Sequence, residues 1–323
     1  MPRPTDLSTP AGLSDWAKRA ARKALPPAAV RRIQAVRGRR PPRVVAFEQL
    51  DGELEEAAKL FSVSEDAARA FLRGFCMAPP PGRPEDPFSD EYRGWVFDLY
   101  ATVSGRRGYS LDNEASPFDL EESVARPYPY STGSTTVVGE ELVARGFIVS
   151  TLGLAPPARI VEFGSGWGNL TNDLAAMGFE VTAVEVDSQF CALTERRSRT
   201  PERLRVVHSG MLEFEATERF DAAIFYESFH HCADHMAMLG RLSDIVGPRG
   251  RVLWAGEPIA PMGMPWGLRL DGYSLWSTRT HGWLELGFDE RYFAEALDRT
   301  GWQGSRRRLP AGSPLADVIV GSR

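Results

Sequence analysis

The chain has 323 residues, of which 43% are apolar and 25% are charged, and its formal net charge is −5. Such a composition is typical of a globular protein with room for one α/β domain and about 100 further residues. Three cysteines without a CxxC pair exclude a disulfide framework and a cysteine-based zinc site. No apolar run approaches the ~20 residues of a membrane span, and no signal-peptide core is present, so we expect a cytoplasmic protein.

The N-terminal segment is strongly basic. Residues 1–43 hold eleven Lys or Arg and two Asp, a local charge of +9, while the rest of the chain is near −14. Pro26-Pro27 and Pro41-Pro42 interrupt any long helix there. We interpret residues 1–43 as a basic, flexible arm, which can either contact an anionic surface or remain solvated.

Helical periodicity begins after this arm. Apolar residues at spacings of three and four predict helices between Glu48 and Phe75, and a third over Ser89–Val103. An aromatic and hydroxyl-rich connector follows from Gly105 to Thr136, and a further helix is predicted over about Val137–Leu152. Residues 44–136 are therefore predicted to form a helical N-terminal, substrate-capping region before a catalytic domain over 137–323.

The rest of the chain alternates strands and helices, which predicts a parallel sheet covered on both faces. The predicted strands are Arg159–Phe163, Glu180–Glu185, Leu204–His208, Asp221–Tyr226, Arg251–Glu257, Gln303–Arg308 and Ala316–Val320. The predicted helices lie near Gly168–Met177, Gln189–Arg197, Asp234–Val246 and Glu290–Thr300. The fold class is therefore α/β, with a doubly wound, Rossmann-like, seven-stranded sheet.

A glycine-rich turn joins the first of these strands to its helix, in the sequence Glu162-Phe163-Gly164-Ser165-Gly166-Trp167-Gly168. Glycine allows positive φ and close approach of a ligand to the backbone, and the following helix N-terminus offers free N–H groups. Glu185 ends the next strand, where a carboxylate can accept the ribose hydroxyls of an adenosine. A dinucleotide is the alternative ligand, but Glu162 would repel a pyrophosphate and can instead receive an ammonium group.

These residues resemble the class I S-adenosylmethionine-dependent methyltransferases over about Arg159 to Val320. The resemblance continues in the F-D…H-H-x-x-D pattern of Phe220 to Asp234 and in the turn Gly247-Pro248-Arg249-Gly250. It implies S-adenosylmethionine as the cofactor and the class I methyltransferase fold. The layout is loosely similar to bacterial methyltransferases that tailor polysaccharides or natural products.

The predicted cofactor residues lie at the carboxyl ends of the first four strands. Many members of the family carry Asp where this chain has Gly210, so the adenine contact is expected from the backbone and from two apolar side chains. The full predicted set is Glu162, Gly164, Ser165, Gly166, Gly168, Glu185, Val186, Gly210, Met211, Leu212 and Glu227.

Three residues at the same edge are candidates for acid–base chemistry. His231 is the first candidate for a general base and His230 the second, since histidine titrates near neutral pH. Glu257 can act as a base or orient a substrate hydroxyl. A histidine pair that only shapes the site remains the alternative.

We expect no bound metal. Glu227, His231 and His235 have the i, i+4, i+8 spacing of ligands on one helix face, but the helix is predicted to begin only near Asp234, which would act as its cap.

About 30 residues are inserted after the fifth strand, from 258 to 288, and we predict a lid there. Its aromatic side chains suit stacking on sugar faces, and Arg269 suits an anionic group, although a self-packed subdomain is the alternative. Together with two connector tyrosines, the predicted substrate residues are Tyr128, Tyr130, Trp266, Arg269, Tyr273, Trp276, His281 and Trp283.

The sequence therefore favours methylation of a hydroxyl on a sugar, glycan or glycosylated small molecule. Carboxyl or N-methylation of a peptide or metabolite is an alternative. RNA methylation through the basic arm is disfavoured because the remaining chain is acidic. A non-catalytic binding module is a third class of function.

Overall fold

A computed structural model describes residues 41–309 and 315–323. Nearly all of the predicted basic arm, residues 1–40, lies outside the described residues. Residues Arg43–Arg323 form one compact unit, so the proposed division at residue 136 stays a prediction. Among the described residues, no helix is both long and apolar enough to cross a membrane.

The N-terminal region is mainly helical, as predicted, and adds two very short strands. Strands β1 and β2 pair in parallel as a separate two-stranded sheet. The elements are β1 Arg43–Val45, α1 Leu50–Phe61, α2 Glu65–Leu72, β2 Phe75–Met77, α3 Asp90–Ser104, α4 Leu120–Ala125 and α5 Thr135–Leu152.

The core is a seven-stranded sheet in the order β10-β11-β7-β6-β3-β4-β5, in which β11 runs antiparallel to the other six strands. Its strands are β3 Arg159–Phe163, β4 Glu180–Glu185, β5 Leu204–His208, β6 Phe220–Tyr226, β7 Val246–Ala255, β10 Gln303–Arg308 and β11 Asp317–Ser322. The intervening helices are α6 Asn169–Ala176, α7 Ser188–Arg197, α8 His235–Ile245 and α10 Glu290–Arg299. All seven predicted strands and all four predicted helices are confirmed within a few residues.

The strand order reverses between β3 and β6, which lie side by side. In open α/β sheets, ligands bind beyond the carboxyl ends of the strands at such a reversal. The glycine turn after β3 and the segment after β6 therefore meet at the expected position.

Both faces of the sheet are covered by apolar residues. Successive residues of a strand point to opposite faces. Ile160 and Ile224 pack on one face, whereas Val161 and Phe225 pack on the other. The second face shares a continuous apolar core with the N-terminal helices and with the insertion.

Helix starts in this chain are set by short polar side chains. Eight of the ten described α-helices follow a Ser or Asp whose side chain accepts a backbone N–H, which is worth about 1 kcal/mol each. Asp234 caps α8 in this way, as predicted. Helix α6 differs, because Gly168 precedes it and provides no side-chain cap. The first N–H groups of α6 are thus left without a side-chain acceptor.

The insertion after β7 is built into the N-terminal region. It contains β8 Trp266–Leu268, α9 Gly272–Thr280 and β9 Leu286–Phe288, and β8 and β9 form their own antiparallel pair. The N–H of Met77 donates to the carbonyl of Leu270 at 2.8 Å. The insertion that we predicted to be a lid, with a self-packed subdomain as the alternative, thus packs against the N-terminal helices.

One close contact with N-terminal backbone is at Gly272, the first residue of α9. A Cβ atom there would lie 2.3 Å from the Leu72 carbonyl oxygen and 2.9 Å from the Phe75 ring. Only a residue without a side chain allows helix α9 to approach the end of α2 so closely.

We expect Gly272→Ala to lower the free energy of unfolding by about 1–3 kcal/mol, because a buried backbone atom must move to admit the methyl group. Gly52→Ala in exposed α1 is the matched control, since its added Cβ has nothing within 4 Å. The control should be neutral or stabilising by about 0.5–1 kcal/mol. Urea unfolding measures both, and equal stabilities would contradict the close approach.

Candidate functional site

The glycine turn combines tight packing with one open position. Gly164, Gly166 and Gly168 all have positive φ. A Cβ on Gly164 would meet the Ser228 Cβ at 2.5 Å, and one on Gly168 would meet the Thr194 hydroxyl oxygen at 2.5 Å. A Cβ on Gly166 would have nothing within 4 Å. The turn is thus packed at both ends and open in the middle, where a ligand can approach the backbone.

Glu185 holds this turn in place. Its Oε2 accepts the N–H of Gly166 at 2.8 Å, and its Oε1 accepts those of Val186 and Asp187 at 2.8 and 3.0 Å. Burial raises its pKa despite these bonds. Two carboxylate oxygens can accept about four hydrogen bonds, so Glu185 retains capacity for one more donor such as a ribose hydroxyl.

Glu162 does not face the open position. Its carboxyl is only 2% exposed and accepts the Thr171 hydroxyl from α6, and burial raises its pKa to about 8. Our prediction that Glu162 directly receives a ligand ammonium is therefore corrected. A buried, largely protonated carboxyl instead links β3 to α6, beneath the turn.

The predicted adenine segment borders the same turn. Gly210 is buried, and a Cβ there would meet Glu213 at 2.2 Å and Leu111 at 2.8 Å. The half-buried Met211 side chain comes within 3.4 Å of the Cβ position of Gly164, and Leu212 is also half-buried. Val186, at the end of β4, is half-buried as well. These apolar side chains and the glycine turn thus lie side by side.

The turn after β6, Phe229–His231, is organised by Glu257. The Oε1 atom of Glu257 accepts the N–H groups of Ser228 and Phe229, both at 2.8 Å, and its Oε2 accepts the His230 N–H at 3.2 Å and contacts His230 Nδ1 at 2.8 Å. Burial favours a higher pKa, but His230 and the amide groups outweigh burial and hold the Glu257 pKa below its usual value. The side chain is 1% exposed, so Glu257 is a positioning residue and not the base that we considered.

The two histidines have different partners. His230 Nδ1 is bonded to Glu257, and its Nε2 lies 3.8 Å from Glu285 Oε2. His231 Nδ1 lies 3.2 Å from Glu114 Oε2. Burial lowers the His231 pKa, but Glu114, Glu285 and Glu257 outweigh it and raise that pKa to about 9. Because Glu257 fixes the ring of His230 through Nδ1, we place His230 before His231 as a candidate base, whereas the sequence placed His231 first.

Glu227 adopts a strained backbone between these groups, with a φ of 49° in the region that favours glycine. Its side chain is accessible to solvent, yet many protein atoms surround it. Desolvation, together with Glu141 and Glu257, raises its pKa to about 8. We name Glu114, Glu227, Glu257, Glu285, His230 and His231 together the acid–histidine cluster.

The insertion and the connector contribute cations and tyrosines next to this cluster. Arg269 pairs with Asp271 at 3.0 Å and lies 3.8 Å from Glu285. Arg69 of α2 donates to the Tyr128 hydroxyl and lies over the Tyr273 ring at 5.4 Å. Burial is the main cause that raises the pKa of both tyrosines, and the Glu227 carboxyl adds a smaller contribution to each.

The remaining predicted substrate residues divide into two groups. Trp266 is 3% exposed, and its indole N–H donates to the Pro87 carbonyl, so this substrate assignment is corrected to a core role. Trp276 packs on Phe61 at 5.1 Å in the same core. The others lie nearer the site: Trp283 has its ring 6.3 Å from His231, His281 stacks on Trp283 at 4.5 Å, and the Tyr130 hydroxyl accepts from Arg145 at 3.0 Å.

Sequence reasoning missed Arg69, Glu114 and Glu285. Glu114 ends a short 3-10 turn, Leu111–Glu114, and Glu285 lies in an irregular segment before β9. The sequence spacing of Glu114 and Glu285 from other polar residues does not identify them as site residues, because only the tertiary fold brings them to the histidines.

The raised pKa of His231 can be tested directly. We expect Glu114→Gln to lower that pKa by about 1–3 units, because it removes the nearest negative charge from a buried ring. NMR titration of the imidazole measures the change, with Glu121→Gln, an exposed partner of Arg196, as the matched control.

The same shift predicts a pH window for stability. The pKa is raised on folding, so the stabilising contribution is complete below about pH 6.5 and is lost as the pH rises through about 9. Wild type should therefore lose its stability advantage over Glu114→Gln across that window. An unchanged difference would contradict the ion pair.

Comparison with known proteins agrees with this geometry. The family model described as a methyltransferase domain matches residues 160–250. An uncharacterised methyltransferase of Bacillus cytotoxicus is 26% identical over 98 residues, which are 30% of this chain and 45% of that protein. A relative from Bacillus mycoides matches to the same extent. The match thus spans less than half the length of these curated relatives.

A solved structure shares the fold. The geranyl diphosphate C-methyltransferase of Streptomyces coelicolor, solved with Mg²⁺, geranyl diphosphate and S-adenosyl-L-homocysteine, has a TM-score of 0.50 and 15% identity. The similarity covers 74% of this chain and all of that one. The domain match, the strand order and the glycine turn together show that this core has the class I methyltransferase fold, with residues 160–250 matching a methyltransferase domain.

Proposed function

We propose that this chain is an S-adenosylmethionine-dependent methyltransferase that methylates a hydroxyl group on a sugar, a glycan or a glycosylated small molecule. The observation that carries the acceptor class is the His230–Glu257 pair, with Nδ1 and Oε2 2.8 Å apart at the end of β6. It leaves Nε2 of His230 free of that bond, and Ser228, two residues earlier, packs against the glycine turn.

The residues at the turn fit the cofactor. The Cα of Gly166 borders open space, α6 has no side-chain cap, and the buried Ser165 hydroxyl has no hydrogen-bond partner among the described residues. Gly166 and Ser165 would hold the methionine part, Glu185 the ribose, and Met211 and Leu212 the adenine. The bound cofactor supplies an electrophilic methyl group next to the turn after β6.

His230 is proposed to take the proton from the acceptor hydroxyl. Glu257 fixes the ring orientation through Nδ1 and stabilises the charge that His230 gains, as a buried carboxylate does for a general-base histidine. Because Glu257 also binds three consecutive backbone N–H groups, it positions the whole turn and not the ring alone.

The side chains around His230 suit a polar, uncharged acceptor. Glu227, Glu285 and Arg269 offer hydrogen-bond donors and acceptors of the kind that sugar hydroxyls need, and Tyr273 and Tyr128 add aromatic surface. The acid–histidine cluster holds four carboxyl groups, so an acceptor with a phosphate or a carboxylate would be repelled unless Arg269 and Arg69 compensated it. This charge balance disfavours both RNA and carboxyl methylation.

A second acceptor class remains supported by the same charges. An acidic pocket attracts an amine, and His230 could remove the proton that an ammonium must lose before methylation. N-methylation of an amino sugar, peptide or small metabolite is therefore the second candidate. Paired acceptors that differ only in –OH or –NH₂ at one carbon would separate the two.

The cofactor assignment predicts micromolar binding of S-adenosylmethionine and S-adenosylhomocysteine to the wild-type chain. Glu185→Ala should weaken binding 10-fold or more, equal to ~1.4 kcal/mol, because it removes the ribose acceptor and releases the Gly166 N–H. Glu195→Ala, an exposed position on α7, should leave binding unchanged. Calorimetry on variants with confirmed circular dichroism measures all three, and a folded wild type that binds neither compound would overturn the proposal.

The base assignment predicts a loss in turnover. Assays with methyl-labelled cofactor and a panel of glycosides, nucleotide sugars and amino sugars would first identify an acceptor. His230→Ala should then lower kcat by about 10²–10⁴, with cofactor affinity retained. Added imidazole should restore part of the rate, since a small base can enter the vacated space. A variant with wild-type kcat would remove His230 as the base, and cofactor binding without transfer to any acceptor would favour a non-catalytic module.

A further inference from the structure

Three side chains of the acid–histidine cluster form a group with the composition of a metal site. His230, His231 and Glu285 can each present one ligand atom, and these atoms all lie within 4.8 Å of one another. Ligands of one ion at 2.0–2.2 Å are separated by at most about 4 Å. A contraction of less than about 1 Å would therefore bring all three to a common ion. This set differs from the sequence spacing of Glu227, His231 and His235 considered above. His235 is excluded because its ring is buried against Tyr292 and Trp266.

Each histidine has a carboxylate beside its Nδ1, and that of His230 is hydrogen-bonded, whereas that of His231 lies at ion-pair distance only. A ligating imidazole generally bonds its other nitrogen to a carboxylate or a carbonyl, which fixes the ring and its tautomer. Here Glu257 contacts Nδ1 of His230 at 2.8 Å, and Glu114 lies 3.2 Å from Nδ1 of His231. The two rings lie 4.2 Å apart, so their remaining Nε2 atoms belong to one small volume. Glu285 lies 3.8 Å from one of those atoms.

We propose that His230, His231 and Glu285 bind a divalent transition-metal ion through the two Nε2 atoms and one carboxylate oxygen. Two imidazoles and a carboxylate favour zinc, cobalt, iron or nickel, whereas magnesium and calcium prefer oxygen ligands alone. The surrounding charge supports a dication, because Glu114, Glu227 and Glu257 lie around the ligands. Arg269, 3.8 Å from Glu285, is the cation that partly balances this charge in the metal-free chain.

Three protein ligands leave coordination positions open. An acceptor hydroxyl placed there would lose its proton to bulk water more readily, because a bound cation lowers the pKa of a coordinated oxygen. In the loaded chain the ion would then replace His230 as the activating group. This role rests on the proposed function, whereas binding of the ion does not.

Cobalt(II) is the probe, because its visible absorption reports the ligand set directly. The full chain, stripped with a chelator and then dialysed, should bind Co²⁺ with an affinity of micromolar or tighter and develop d–d bands of a site with nitrogen ligands. Glu285→Gln and His230→Ala should each weaken binding 10-fold or more. His208→Ala is the matched control, since this exposed histidine lies outside the cluster, and it should bind like wild type.

Glu114→Gln tests the arrangement without touching a ligand. It should weaken Co²⁺ binding about 10–100-fold, as loss of a carboxylate partner of a metal-binding histidine does. A folded wild type without cobalt bands would overturn the metal site, as would binding that survives both Glu285→Gln and His230→Ala. Calorimetry with S-adenosylmethionine on the same stripped protein separates this failure from failure of the proposed function, because cofactor binding needs no metal.

Discussion

The site depends on one buried carboxylate. Glu257, just beyond β7, accepts three backbone N–H groups and an imidazole from a turn that begins 29 residues earlier. A charge in the interior is stable only when its oxygens are fully bonded, and this carboxylate satisfies that condition with the turn after β6. The position of His230, and through it the whole acid–histidine cluster, follows from this contact between neighbouring strands.

Glu185 has the matching role on the other side of the strand-order reversal. Its three backbone bonds fix the glycine turn, as those of Glu257 fix the histidine turn. The two turns then meet where Ser228 fills the space above Gly164 and donates its hydroxyl to the Phe163 carbonyl. The two turns are thus joined through side-chain bonds to backbone groups, so the proposed cofactor and acceptor positions would be held together.

Local sequence patterns were sufficient to predict the core of the fold and the glycine-turn half of the candidate site. Buried strands and amphipathic helices repeat over enough residues to be recognised, and the glycine turn with Glu185 has a fixed spacing. The strands β1, β2, β8 and β9 have three residues each, which is too short to show a period of two. Glu257 was identified, but its role was not, because hydrogen bonds to a distant turn leave no local pattern. Glu114 and Glu285 lie in irregular segments, so only the tertiary fold reveals them.

The contacts between the insertion and the N-terminal helices join segments that are synthesised at different times. The Tyr92 hydroxyl donates to the Trp266 carbonyl, a partner 174 residues later in the chain. At translation rates of 5–20 residues per second, the N-terminal helices would wait roughly 10–35 s for this partner to be made. During that time Tyr92, Leu72 and Phe75, which the finished protein buries completely, lack part of their packing. The N-terminal helices are therefore expected to become native only after the insertion has been made, and to need protection from aggregation until then.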